Sequence, residues 1–208
     1  MKRKILFVIP CNNSLGSFLT ETFRPYFIFI KNKYSVDFAV SQEQSPSRIN
    51  RTNDLLDISF LNGGYYKKTF SLEEINVENY SAVYIPGGLA HMINNRRLQN
   101  FLLNMYEKGV VIGLICNGLI CLLNIKLSNN EYLIKGKYLT CLSSQEEKDD
   151  QTDTPFFLET ALIERGAKYS SAAPWKSHIV IDGKLITGQN PASGRLIAEA
   201  IISVLENK

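Results

Sequence analysis

Cys116 closes an apolar run and is followed at once by Asn117 and Gly118, in the stretch VVIGLICNGL (110–119). A cysteine between a strand and a helix N-terminus sits where backbone N–H groups and the helix dipole favour a thiolate. The same geometry lets the next backbone N–H, that of Asn117, join an oxyanion hole. Gly88, at the end of YIPGG, is placed to supply a second donor from a neighbouring strand end. Cysteine is also a small hydrophobe that cores use freely, so on spacing alone packing competes with chemistry.

The other thiols are Cys11, Cys121 and Cys141. They form no CxxC pair and lack the spacing of a zinc site, so no metal is expected. Cys121 lies five residues beyond Cys116 and points to a different helix face, which favours packing. Cys11 and Cys141 follow or end apolar runs, as Cys116 does. In a parallel sheet three thiols could gather at one end, although independent packing is the simpler reading. The chain has two histidines, His91 after the Gly-Gly turn and His178 before IVIDG. Each is a candidate proton relay, set against the commoner roles of a solvent-facing loop residue and a structural one.

Alternating strands and helices must position these residues. Near-continuous apolar runs at 4–9, 35–40, 80–85 and 110–115 read as strands buried on both faces. KYLTCL within 134–142 is a further strand candidate, and HIVIDGKLITG (178–188) reads as a hairpin around Asp182-Gly183. Helices are expected at 17–32, interrupted or kinked at Pro25, and at 95–109, where Leu98, Phe101, Leu102 and Met105 share a face. A short helix follows Cys116. A helix running into a short connection is expected over 155–169, with Pro155 at its first turn, and another after Asn190-Pro191, with Asn190 as N-cap and Pro191 at N1. The pattern predicts an α/β sandwich with a mainly parallel sheet and helices on both faces. In such a sheet ligands bind beyond the carboxyl ends of the strands, where Cys116 and Gly88 fall.

The 208 residues are 45% hydrophobic and carry a net charge of +3. This fits one domain over 1–208 with a polar excursion at about 41–70. The basic residues are scattered, so no nucleic-acid stripe is present. The opening apolar run is too short for a signal peptide and no segment reaches the length of a membrane span. A cytoplasmic protein with reduced thiols is expected.

YSAVYIPGG, VIGLICNG, LSSQEE, PFFLETALIERGAKY and IVIDGKLITGQNPAS together resemble the ThiJ/PfpI superfamily. The likeness is nearer to its branch of heat-shock chaperones, glyoxalase III enzymes and class I glutamine amidotransferase-like proteins. The blocks occur in the family's order from residue 5 to the final helix. The resemblance implies a flavodoxin-like sandwich, usually a homodimer, with Cys116 on a strained strand-to-helix turn. It also implies a glutamate against the sulfur, four residues before a proline in the first helix; ETFRP puts Glu21 there. A carboxyl beside a thiolate is expected to be pushed toward its neutral form, able to donate a hydrogen bond.

One departure is chemical. In this branch a histidine commonly follows the cysteine, and here Asn117 stands in its place. Other branches carry a histidine after the strand KYLTCL, where this chain has Leu142. An amide cannot accept a proton near neutral pH, and general-base help is typically worth ~10²–10⁴-fold.

The leading expectation is a cysteine-dependent, cofactor-free enzyme acting on a small carbonyl substrate. It would be a glyoxalase III or deglycase working on α-oxoaldehydes or their adducts. The alternative is a non-catalytic oxidative-stress sensor or holdase chaperone in which Cys116 oxidises. A peptidase or amidotransferase is the weaker third reading, because both need an effective base.

Overall fold

The computed structural model describes residues 3–9, 16–40, 63–64, 69–87, 90–150 and 156–206. Among these, β1 (Lys4–Ile9) is an interior strand of a seven-stranded sheet. It lies between β2 (Ser35–Val40) and β4 (Ala82–Ile85), parallel to both. β3 (Thr69–Ser71) extends the sheet beyond β2. On the other side come β5 (Val111–Ile115), β9 (Leu185–Gly188) and the edge strand β8 (Ile179–Asp182). Only β8 runs antiparallel, paired with β9 through a two-residue turn whose Gly183 has φ +59°. The fold is the expected flavodoxin-like α/β sandwich.

The two-faced burial of β1 explains its unbroken apolar sequence. Ile5, Phe7 and Ile9 enter one core layer and Leu6 and Val8 the other, because successive side chains alternate across a strand. The first layer lies under α1 (Gly16–Lys31) and α5 (Gly194–Glu206), with Phe23, Phe29, Tyr84, Ile197 and Ile201 buried in it. Pro25 is accommodated inside α1, where Gly194 at the start of α5 faces its ring. The second layer lies under α2 (Arg96–Glu107), which buries Leu98, Leu102 and Met105. Asn95 caps α2 by accepting the Leu98 N–H, and Gly109 leaves it at φ +65°.

Three expected elements come out differently. Within 134–142 only β6 (Tyr138–Leu139) forms, and it pairs not with the main sheet but with β7 (Lys168–Tyr169). Gly136 turns the chain at φ +76° just before it, and the Thr140 N–H then donates to the Thr187 side chain. Cys141 therefore ends no strand of the main sheet. Cys11 lies outside the described residues, so the gathering of three thiols has no support. The helix within 155–169, expected to start with Pro155 in its first turn, begins only at α4 (Leu158–Glu164) after the N-cap Phe157, and gives way to the expected connection at Gly166, φ +86°. The short helix after Cys116 is a 3-10 helix, Cys116–Leu122.

Candidate active site at the carboxyl end of the sheet

Cys116 is the first residue after β5, and its φ is +60°. That left-handed conformation is rare for any residue with a Cβ and costs ~1–3 kcal/mol, held here by the packing around it. The elbow seats directly on the end of β4. A Cβ on Gly118 would lie 2.7 Å from the Pro86 carbonyl oxygen and 3.0 Å from that of Ile85, so only glycine fits. The resulting turn directs a nearly buried thiol toward the strand end.

Glu21 in α1 is fully buried and its Oε2 accepts the Gly87 N–H at 2.7 Å. The same glycine brings carboxyl and thiol together. A Cβ there would meet Glu21 Oε2 at 2.6 Å and Cys116 Sγ at 3.2 Å, so the two groups face one small space. Tyr84 of β4 completes the surroundings by donating its hydroxyl to the Glu21 carbonyl oxygen at 2.8 Å. Burial, then the nearby Glu21 and Cys116, push its phenol well above the usual range, which keeps it a neutral donor.

Cys116 Sγ donates to Asn117 Oδ1 at 3.2 Å. The amide thus occupies the position beside the sulfur and accepts the thiol hydrogen, but cannot take it as a base would. Leu142, where other branches carry a histidine, is fully buried in the same core layer as Cys116. Gly88 falls outside the described residues. His91 belongs to a 3-10 helix, Ala90–Asn94, and the position of its side chain is likewise outside them.

His178 lies at the same end of the sheet as Cys116. Its carbonyl accepts the Gln189 N–H, one step beyond the Ile179–Gly188 pair, and Gly188 in turn pairs with Ile115. Two strand spacings, about 10 Å between Cα atoms, therefore separate it from Cys116. Its Nε2 is within hydrogen-bond distance of Ser170 Oγ, at 3.0 Å.

The other thiols differ sharply from Cys116. Cys121 is fully buried and its thiol is pushed up to about 12 by burial. Cys141 is buried, donates to the Leu142 carbonyl, and is pushed well above the usual range by burial and by Glu147, Glu159 and Glu146. Both are packing residues.

Sequence reasoning missed the support on the far side of the crevice. It centres on Glu146 in α3 (Ser144–Asp150), whose carboxylate is fully buried. It accepts five hydrogen bonds, from Ser143 N and Oγ, Trp175 N, Gln189 Nε2 and Asn190 Nδ2. Burial alone would raise its pKa, but these donors bring it below the ordinary carboxylate value, so it is ionised at neutral pH. Asn190, expected to cap the last helix through its side chain, spends that amide on Glu146 and the Lys176 carbonyl instead. The Ser143-x-x-Glu146 spacing was the available signal. The loop 170–178 is thereby tied to the strand end next to Cys116.

A strained cysteine thus lies between strand and 3-10 helix at the carboxyl end of the mainly parallel sheet, with a buried carboxyl close by. The chain belongs to the DJ-1/PfpI family, whose model matches residues 4–204. Over 217 residues it is 25% identical to HSP31 of Saccharomyces cerevisiae, named a glutathione-independent glyoxalase, covering 92% of this chain and 90% of that one. Over 216 residues it is 26% identical to Glyoxalase 3 of Candida albicans, with the same shares covered. Among solved structures, the 24 kDa Rapid Encystment Protein of Francisella tularensis superposes with a TM-score of 0.85 at 31% identity. That match covers 98% of this chain and 99% of the other. Glyoxalase III of Candida albicans superposes with a TM-score of 0.82 at 22% identity, over 99% and 98%, a likeness of fold. No helix among the described residues is long and apolar enough to cross a membrane.

Proposed function

We propose that the chain is a cofactor-independent enzyme that converts small α-oxoaldehydes to 2-hydroxy acids, with Cys116 as nucleophile. The observation that carries this reading is the strained Cys116 facing the Glu21 carboxyl across Gly87. The names of the relatives supply the substrate class. Sulfur adds to the aldehyde carbon, and the thiol proton ends on the new hydroxyl, giving a hemithioacetal. The hydrogen of that carbon leaves as a proton, giving an enediol in which the hydroxyl proton passes to the neighbouring carbonyl oxygen; returning a proton to that neighbouring carbon then gives a thioester. Water then releases the hydroxy acid and restores the thiol. One water is consumed and no outside oxidant or reductant is needed. Glu21 moves the proton, and the Asn117 and Gly88 backbone amides steady the oxyanion.

The thiol hydrogen bond to Asn117 supports a second reading, an oxidative-stress sensor that lacks a base. One substitution separates the two. The elbow already places residue 117 beside the sulfur, so Asn117→His is expected to raise lactate formation from methylglyoxal about 10–100-fold, in a Cys116-dependent way. A parent and a variant that both form no lactate would overturn the enzyme reading and favour the sensor.

A further inference from the structure

Glu147 is a buried carboxyl that the proposed chemistry does not use. It sits at the contact between two short helices that hold each other's ends. Both Glu147 oxygens accept the Leu158 N–H, the first of α4, at 3.0 and 3.2 Å. In return Glu159 of α4 accepts the Ser144 N–H, the first of α3, at 2.9 Å. Each helix thus caps the other with a carboxyl, which brings two acids to one interface.

We propose that a proton on Glu147 closes the contact between α3 and α4, and that its loss as the pH rises releases the rim of the crevice. The groups that act on or with Glu147 are Glu159 from α4 and Cys141 from the segment before α3, and Cys141 is also acted on by Glu146. Tyr169 of β7 is acted on by Cys141 and Glu159 in turn. Burial pushes the Cys141 thiol and the Tyr169 phenol up, so both stay neutral around pH 7. Glu146 is ionised and fully occupied by its donors. Charging Glu147 therefore places a second negative charge in a buried contact, facing Glu159.

Burial raises the Glu147 carboxyl from 4.5 to about 7, opposed by the Leu158 N–H and aided by Glu159. A raised carboxyl pKa means that the folded state holds the proton more tightly than the unfolded chain. Its contribution is full below about 4.5 and is lost as the pH climbs through about 7. The consequence reaches the rim through α3. Glu146 accepts the Trp175 backbone N–H at 2.6 Å, and Asp149 accepts the indole N–H at 3.2 Å. Trp175 is held at φ +62° in the loop 170–178, which is pinned to the strand end beside Cys116. The inference concerns this mechanical link and is independent of the reaction in the crevice.

Trp175 is the only tryptophan of the chain, so its fluorescence reads the position of α3 in the unmodified protein. Emission is expected to change reversibly with a midpoint near pH 7. Glu147→Gln, which still accepts the Leu158 N–H, should abolish the transition. Glu159→Gln should move the midpoint down, and His178→Asn should leave it in place. The 13C shift of the Glu147 carboxyl provides a second readout that needs no variant, and it should titrate with the same midpoint. A transition that survives Glu147→Gln, one that disappears in His178→Asn, or a carboxyl titrating at its ordinary value would overturn the proposal.

Discussion

Cys116→Ser is expected to lower lactate formation from methylglyoxal by at least ~10³-fold, in the parent and in the Asn117→His background alike. A serine hydroxyl ionises far above the range of a thiol and needs a base to become a nucleophile. Among the described residues the parent places no imidazole there, since the neighbouring Asn117 offers an amide oxygen and Leu142 is buried and apolar; in the Asn117→His background the loss follows from the weaker nucleophilicity of the hydroxyl. Serine is close to cysteine in volume and leaves the elbow's backbone unchanged, so the variant should fold as the parent does. The assay is product formation per folded protein, with folding checked by circular dichroism. Activity retained in Cys116→Ser would place the chemistry at another residue.

Glu146→Ala is expected to destabilise the fold by about 3–5 kcal/mol, read from urea unfolding at pH 7. The substitution removes a buried carboxylate and leaves donors from Ser143, Trp175, Gln189 and Asn190 facing an apolar methyl group. The pH dependence has a definite sign. Glu146 is held below its ordinary value of 4.5 despite its burial, so its stabilisation is present above that value and is lost as the pH falls through the folded one. The gap between parent and variant should therefore narrow in acid. A difference below about 1 kcal/mol at pH 7 would mean that Glu146 does not hold the rim.

The sheet was legible because its strands are buried on both faces. Runs such as KILFVI admit no polar residue when Ile5 and Phe7 feed one layer while Leu6 and Val8 feed the other. Cys116 was legible for a related reason, since an abrupt Asn-Gly after such a run marks a turn at a strand end. Glu21 was not visible from periodicity and came only from the family resemblance. In isolation it reads as one more helical glutamate, and its burial depends on Gly87, 66 residues away. The strand expected across 134–142 was cut short, and the helix within 155–169 gave way to its connection, for a shared cause. Gly136 and Gly166 take positive φ and cut both patterns short, while the Gly136 N–H donates to the Gly166 carbonyl. Glu146 was hidden because its partners lie 3, 29, 43 and 44 residues away, and no local pattern reports such a convergence. The exception is Ser143, whose spacing to Glu146 was local and readable.

The central claim is that Cys116 is the reactive thiol of this fold. Its most direct test is limited alkylation with iodoacetamide at pH 7, followed by peptide mapping of all four cysteines. Cys116 should be labelled first, because it lies at the strained elbow, whereas Cys121 and Cys141 are fully buried. Burial holds the Cys121 thiol at about 12 and that of Cys141 well above its ordinary value, so neither supplies thiolate at neutral pH. Preferential labelling of Cys116 is the predicted result. Labelling of Cys11, Cys121 or Cys141 ahead of Cys116 would contradict the account.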